Sequence, residues 1–350
     1  MEAILGSAND GLARGHEGGH EFPRLLADIG GTNVRFALEF ENGDIGALSI
    51  MPIKAYSSLS AAVNAYMSHL QTIAAGVAKV RHAAFAIANS VDGDWLKMTN
   101  AAWEFSIEAM RLEFRFETLL IVNDFSALAM AIPRLANRQK LQIGGGLVVP
   151  GKPIGLLGAG TGLGVSGLVP ADNEWIALET EGGHVDFSPA NEREISILRY
   201  AWQEYPHVSI ERLLSGMGLE LIFRALATQA GVTPESINAP EISRRALAAE
   251  CPLCDEAIEF FCTMLGTVAG NLALTLGAKG GIYIGGGIVP SLGDRFVRSG
   301  FRARFEEKGR FSHYLAAIPT YVITADTPTL LGVSAILARY MGARSRQFRC

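Results

Sequence analysis

Residues 25–38, LLADIGGTNVRFAL, set an apolar run, a glycine-rich interruption and a second apolar run back to back. That pattern reads as a strand, a tight turn at Gly30-Gly31-Thr32-Asn33 and an antiparallel return strand. Residues 153–169, PIGLLGAGTGLGVSGLV, repeat the device. A hairpin device used twice implies two similar halves, each offering a phosphate loop.

Glycines at such a turn let the backbone approach an anion, with N–H groups pointing at it. The Thr32 hydroxyl can add a hydrogen bond, and Asp28 is placed to face a phosphate-bound metal ion. A plain glycine hairpin with a structural acid fits the local pattern equally well. No Gly-Lys-Ser/Thr follows, so this is not a Walker loop. A strand follows the glycines where a dinucleotide fingerprint needs a helix.

Composition narrows the classes. The chain has 350 residues, enough for two domains, and its 49% apolar and 19% charged content is globular. A net charge of −5 offers nucleic acid no basic field. Four scattered cysteines make no disulfide framework and fit a reducing cytosol. Cys251-Pro-Leu-Cys254 has metal or redox spacing, but no second ligand pair accompanies it. Residues 260–278 carry no charge, which raises the question of a membrane span. Asn271, three threonines and Gly266, Gly270 and Gly277 favour a helix buried in a large domain, with no membrane partner. Residues 1–23 lack an apolar signal core and read as a disordered extension.

Along the chain, residues 47–53 give another strand and residues 58–76 a helix with serines at its start. Residues 82–91 read as a buried strand and residues 103–113 as a short helix. LLIVNDF (119–125) is an apolar strand stopping at Asn123-Asp124, with a helix behind it. Strands alternating with helices argue for α/β architecture with a mainly parallel sheet, whose ligands meet the carboxyl ends of strands. Beyond Pro133 come the second hairpin, Glu181-Gly-Gly-His184 and a helix over 208–226 with Glu211 near its start. A buried helix over 256–276, a strand into Gly285-Gly286-Gly287, and a strand with closing helix over 321–341 complete the chain.

Two glycine cradles and a strand-end carboxylate are the parts phosphoryl transfer needs. Asp124 is the candidate base for a hydroxyl in line with a γ-phosphate. The plain alternative is that Asn123 or Asp124 only caps the following helix. Glu181, His184, Glu211 and Asn123 have the paired donors and acceptors that sugars need. Each also has a plain reading: a surface glutamate, a satisfied core histidine, a first-turn glutamate favoured by the helix dipole.

Taken together, DIGGTN (28–33), GDWLKMTNAAWEFS (93–106), NDFSALAMAIP (123–133), GAGTGLG (158–164), EGGHVDF (181–187), SIERLLSG (209–216), GNLAL (270–274) and GGGIVP (285–290) resemble the bacterial glucokinase family. The resemblance covers nearly all of the chain after residue 24. It implies a two-domain actin-like ATPase (ribonuclease H-like) α/β fold with a cleft between the domains. The implied division is a small domain of 24–133 plus 325–345 and a large one of 134–324. The implied activity is transfer of the γ-phosphoryl group of ATP, with Mg²⁺, to the 6-hydroxyl of glucose.

By the same analogy Asp124 is the base, and Asn100, Asn123, Glu181, His184 and Glu211 hold the sugar. Ala27, Asp28, Ile29, Gly30, Gly31, Thr32 and Asn33 would meet the nucleotide, as would Gly158, Gly160, Thr161 and Gly162. Gly286 and Gly287 would sit at its adenosine end. Asp28 would meet the metal through water or phosphate. A cytoplasmic homodimer is also implied.

The chain departs from the family in having Asn89-Ser90 where a proline usually follows the strand, and Leu178-Glu179-Thr180 before EGGH. It lacks the cysteine-rich zinc signature of the related repressor–kinase family. Two other readings remain, a kinase for another hexose and a sugar-sensing regulator. Against the regulator, the stretch before residue 24 is too short for a helix-turn-helix, and Asp124 is present.

Overall fold

The computed structural model describes residues 21–73, 79–98, 102–172 and 174–347. Of these, the residues up to Arg134 and from Thr327 onward form one compact unit, and Leu135–Asp326 form the other.

In the first unit, β1 (Arg24–Ile29) and β2 (Asn33–Glu39) pair antiparallel around the glycine turn. β3 (Ile45–Pro52) pairs with β2, and β4 (His82–Ile87) runs parallel to β1. A small hairpin joins β5 (Trp95–Lys97) to β6 (Glu104–Ser106), and β7 (Thr118–Asn123) returns parallel to β4. The sheet order is therefore β3-β2-β1-β4-β7. The helices are α1 (Leu59–Ile73), α2 (Ile107–Glu113) and α3 (Asp124–Ala131). The Ser58 hydroxyl opens α1 by accepting the Ala61 N–H at 3.1 Å.

Every residue of β4 is buried, as a parallel strand covered on both faces requires. Alternation along β1 sends Leu25, Ala27 and Ile29 toward Leu59, Val63 and Tyr66 of α1. Leu26 faces the other way, into a cluster with Ala127 of α3 and Leu330, Val333 and Leu337 of the C-terminal helix.

The helix expected over 103–113 is shorter. Residues 104–106 pair with β5, and Ser106 starts α2 by accepting the Ala109 N–H at 3.0 Å. A side-chain cap at Ser106 fixes the boundary that apolar periodicity left undefined.

The second unit holds β8 (Lys140–Ile143), β9 (Ile154–Ala159), β10 (Leu163–Ala171), β11 (Glu174–Leu178), β12 (Ile282–Gly286) and β13 (Thr320–Ile323). Its sheet order is β11-β10-β9-β12-β13-β8. β11, β10 and β9 are antiparallel neighbours, and β9, β12 and β13 are parallel neighbours. The same directions run through β3-β2-β1 and β1-β4-β7, so the repeated hairpin heads a repeated sheet. β8 is an added antiparallel edge.

Around this sheet lie α4 (Glu192–Ala201), α5 (Gly216–Gln229), α6 (Ala239–Leu247) and α7 (Pro252–Leu276). The short helices α8 (Ile288–Leu292), α9 (Asp294–Val297), α10 (Phe301–Glu306) and α11 (Ser312–Ala316) follow. α7 is long and apolar enough to cross a membrane, but 72% of its most apolar window is buried inside this unit. It packs there against α5, α6, α10 and β9.

α7 begins at Pro252, ahead of the expected 256, because Cys251 caps it, its Sγ accepting the Cys254 N–H at 3.4 Å. The Cys-Pro-Leu-Cys spacing is thus a helix start. Burial pushes the Cys254 and Cys262 thiols up to about 12, so neither is a ready nucleophile.

Likewise, the helix expected over 208–226 begins only at Gly216, where the Ser215 hydroxyl accepts the Gly218 N–H at 3.2 Å. Residues 210–212 form a separate 3₁₀ turn.

The final helix, α12 (Pro328–Gln347), packs in the first unit against α3, β4 and β1. Arg134 donates to the Ser334 hydroxyl at 3.2 Å, and that hydroxyl donates to buried Glu39 at 2.6 Å. Gly332 lets the two helices touch, since a Cβ there would overlap the Ala127 carbonyl oxygen. Gly332→Ala should therefore cost about 1–3 kcal/mol and lower the melting temperature by several degrees. Gly145→Ala, at a site with open space around it, should leave it unchanged. Equal melting of the two variants would contradict the close helix contact.

Candidate active site

Three parallel strands of the first unit end level with one another. Ile29 of β1 stands beside Ile87 of β4, and Ile87 beside Asn123 of β7. The Gly30–Thr32 turn, the Ala88-Asn89 segment and Asp124 therefore leave the sheet at the same edge. Two strand spacings separate the turn from Asp124, roughly 10 Å.

Within the turn, the Gly30 N–H donates to the Asn33 carbonyl at 3.1 Å, and the Thr32 carbonyl accepts from Ile53 at 2.9 Å. Gly31 and Thr32 are exposed, and among the described residues their N–H groups have no protein acceptor. Ala27 and Ile29 are strand residues with fully buried side chains, so only their backbone could meet a ligand. The Ile29 carbonyl already accepts from Ala88 at 3.2 Å. Asn33 is the first residue of β2, opposite Pro52.

Asp28 lies directly across from Arg35 in the hairpin register, and its Oδ2 takes a hydrogen bond from that guanidinium at 3.1 Å. Burial raises the Asp28 carboxyl above its ordinary range, and the nearby Arg35 charge and hydrogen bond oppose the rise only in part. Alternation along β1 puts Asp28 on the same face as Leu26, the face that α3 covers.

Asn123 does cap α3. Its Oδ1 accepts the Phe125 and Ser126 N–H groups at 2.9 and 3.0 Å. Capping leaves the amide nitrogen pointing elsewhere, at the Asn89 carbonyl (3.2 Å) and Asp124 Oδ1 (3.3 Å). Asp124 is the first residue of α3, where the helix dipole favours its anion, and its Oδ1 also accepts the Phe125 N–H at 2.9 Å. Asn100 falls outside the described residues.

One residue of this edge was noted from sequence only as a departure from the family, not as a site residue. Asn89 donates its side-chain amide to the Lys97 carbonyl at 3.0 Å, tying the β4 end to the β5–β6 hairpin. The Asn89-Ser90 departure was the visible signal. Arg35 was legible too, since counting pairs outward from the turn puts it opposite Asp28.

In the second unit, Gly158 of β9 is flanked in register by Gly164 of β10 and Gly285 of β12. The Gly160–Gly162 turn and the Gly285–Gly287 segment thus leave adjacent strand ends together. Gly286 adopts φ +79°, and a Cβ there would overlap the Ala159 backbone, so glycine is needed for the strand to turn into α8 beside Gly287. In the first of these turns the Gly160 N–H donates to the Gly162 carbonyl at 2.8 Å, and the Gly160 carbonyl accepts from Gly216 at 2.9 Å. Among the described residues the Thr161 and Gly162 N–H groups have no protein acceptor.

Glu211 is not in the first turn of the α-helix expected over 208–226. It stands on the 3₁₀ turn before α5, with its Oε2 accepting the Leu163 N–H at 2.9 Å. Glu181 precedes and His184 ends another 3₁₀ turn, and both are exposed, 3.9 Å apart, so His184 is no core histidine. Thr180 fastens this turn to the Val165 carbonyl at 2.6 Å. Behind it, Ile210 donates to Val185 and Phe187 to Val208, at 2.9 and 3.1 Å. Glu181, His184 and Glu211 therefore share one frame within this unit. Among the described residues no cluster of three or more His, Cys, Asp or Glu could hold a metal ion.

A sequence model of the glucokinase family matches residues 25–340. The chain is 52% identical over 324 residues to a glucokinase of Chromobacterium violaceum, covering 93% of this chain and 92% of that one. It is 54% identical over 324 residues to a "Bifunctional protein glk" of Paraburkholderia xenovorans, where the match takes in 92% of this chain and 50% of the relative. The chain thus spans about half the length of such bifunctional relatives. Among solved structures, a glucokinase from an Antarctic psychrotroph superposes with a TM-score of 0.81 at 36% identity, over 91% of this chain and 99% of that one. The fold is the α/β actin-like ATPase fold of these sugar kinases.

Asp28 yields a stability test. With its carboxyl raised by burial, the ionised form at pH 7 costs folding free energy, a cost that fades as pH falls and the group protonates. Asp28→Asn should hold or raise the melting temperature at pH 7, by up to about 3 °C, and the difference should shrink toward pH 4. A clearly lower melting temperature at pH 7 would mean that the Arg35 pair outweighs burial.

Proposed function

The chain belongs to the glucokinase family, and on that basis we propose that it transfers the γ-phosphoryl group of ATP to the 6-hydroxyl of glucose. The observation that carries the reading is the level ending of β1, β4 and β7, which brings Asp124 and an exposed glycine turn to one sheet edge. Asp124 takes the proton from the 6-hydroxyl, the freed oxygen attacks the γ-phosphorus, and the bond to the ADP oxygen breaks.

The open N–H groups at Gly31, Thr32, Thr161 and Gly162 suit phosphate oxygens, with Gly286 and Gly287 toward the adenosine. Mg²⁺ would enter with ATP and offset the charge of its phosphates. Without a protein cage, a metal of this kind takes one or two carboxylates plus substrate oxygens. Asp28 is the carboxylate beside the first turn, acting through water or phosphate.

Asn100, Asn123, Glu181, His184 and Glu211 hold the sugar in this reading. Exposed Glu181 and His184 leave their polar atoms to a ligand, and Asn123 keeps its oxygen on the cap while its amide nitrogen can turn to a hydroxyl. Cys251, Cys254 and Cys262 are free thiols, in keeping with a reducing cytoplasm. We also assign a homodimer, on family resemblance alone.

Asp124→Ala should lower glucose-dependent ADP release by about 10²–10⁴-fold, with glucose affinity within a few-fold of wild type. Turnover close to wild type would remove Asp124 from the base role. Glu181→Ala should raise the glucose KM at least tenfold through loss of a charged hydrogen-bond partner, and an unchanged KM would take it out of the sugar site.

A further inference from the structure

We infer that Glu211 is also a positioning residue for the nucleotide, holding the Gly160–Leu163 turn in the shape that receives the phosphates of a nucleoside triphosphate. The inference rests on the kinase reading above and deepens it.

The turn is fastened at both ends by one segment of chain. At its start the Gly160 carbonyl accepts the Gly216 N–H at 2.9 Å. At its end the Leu163 N–H donates to Glu211 Oε2 at 2.9 Å, a bond strengthened by the carboxylate charge. Glu211 also lies flush against the turn, since a Cβ at Gly162 would come within 2.5 Å of Oε2. The carboxylate thus occupies the Leu163 N–H and leaves those of Thr161 and Gly162 to face a ligand.

A turn of Gly160, Thr161 and Gly162 has wide backbone freedom when untethered, and ordering it on binding would weaken affinity. Glu211 can fix it beforehand because its own 3₁₀ turn is anchored, Ile210 donating to the Val185 carbonyl at 2.9 Å. Oε1, which takes no part in the Leu163 bond, would then be the oxygen offered to the sugar. One side chain would serve the acceptor with one oxygen and the donor nucleotide with the other.

The test is nucleotide binding with no sugar present, measured by titration calorimetry with Mg²⁺ and a non-hydrolysable ATP analogue. Glu211→Ala should weaken binding about five- to tenfold. Glu211→Gln keeps an acceptor oxygen in place and should stay within about threefold of wild type, while both variants lose glucose affinity. Glu211→Asp, too short to reach Leu163, should behave like the alanine variant and serves if that one does not fold. Hydrogen exchange at the Leu163 amide should quicken in the alanine and aspartate variants only.

Sugar-free nucleotide affinity unchanged in the alanine or aspartate variant, with glucose affinity reduced, would overturn the inference and leave Glu211 a sugar ligand alone. Failure of the kinase reading would look different, with the wild-type protein itself binding no nucleotide.

Discussion

Three parallel strands that end level, at Ile29, Ile87 and Asn123, are the constraint on which the chemistry of the first unit depends. Parallel pairing leaves no freedom to slip, because a shift of one residue would exchange the side chains packed against α1 with the smaller set packed against α3 and α12. The glycine turn, Asn89 and Asp124 are therefore placed by the core and not by the loops themselves. α3 starts where β7 stops, so the same register aims a helix N-terminus and its carboxylate at that edge. α12 then holds α3 from behind, through the contact that Gly332 permits.

The second unit reuses the solution with different decoration. Apart from the added edge β8, its sheet has the same order and directions, and its glycine turn again joins the strand that leads into the parallel half. There the turn is not left to its own hydrogen bonds. A segment on the way to α5 grips both of its ends, and that segment also carries a carboxylate with sugar-binding chemistry. Glycine at 162 is required by that grip, since any side chain would displace the carboxylate. In the proposed reading, phosphate cradle and acceptor site would share one piece of backbone within this unit.

Much of this was legible in the sequence because it is written in local, redundant signals. Apolar runs broken by Gly-Gly or Gly-Thr-Gly allow few conformations, and LLIVNDF announces a strand end by its abrupt change of polarity. What escaped was decided by single side chains. Periodicity carried helices through 103–106 and 208–215, whereas Ser106 and Ser215 set the real starts with one cap each. Glu211 was read as a sugar ligand or a plain first-turn glutamate, and nothing nearby in sequence shows that Leu163 is its partner. β8 and β11 are mostly half-exposed edge strands with weak alternation, and they depend on neighbours far along the chain. The asparagine cap was weighed as an alternative to function, but capping occupies only the Asn123 oxygen, and its amide nitrogen is turned to the Asn89 carbonyl and Asp124.

The most direct measurement is ADP release from ATP–Mg²⁺ by the full chain, followed in a coupled assay with glucose, mannose, fructose and no sugar. The account predicts glucose-dependent turnover far above the sugar-free rate. Turnover with mannose or fructose alone would keep the phosphoryl-transfer machinery and replace the acceptor. A folded protein that binds glucose yet releases no ADP with any sugar would contradict the account and make the chain a sugar-sensing regulator.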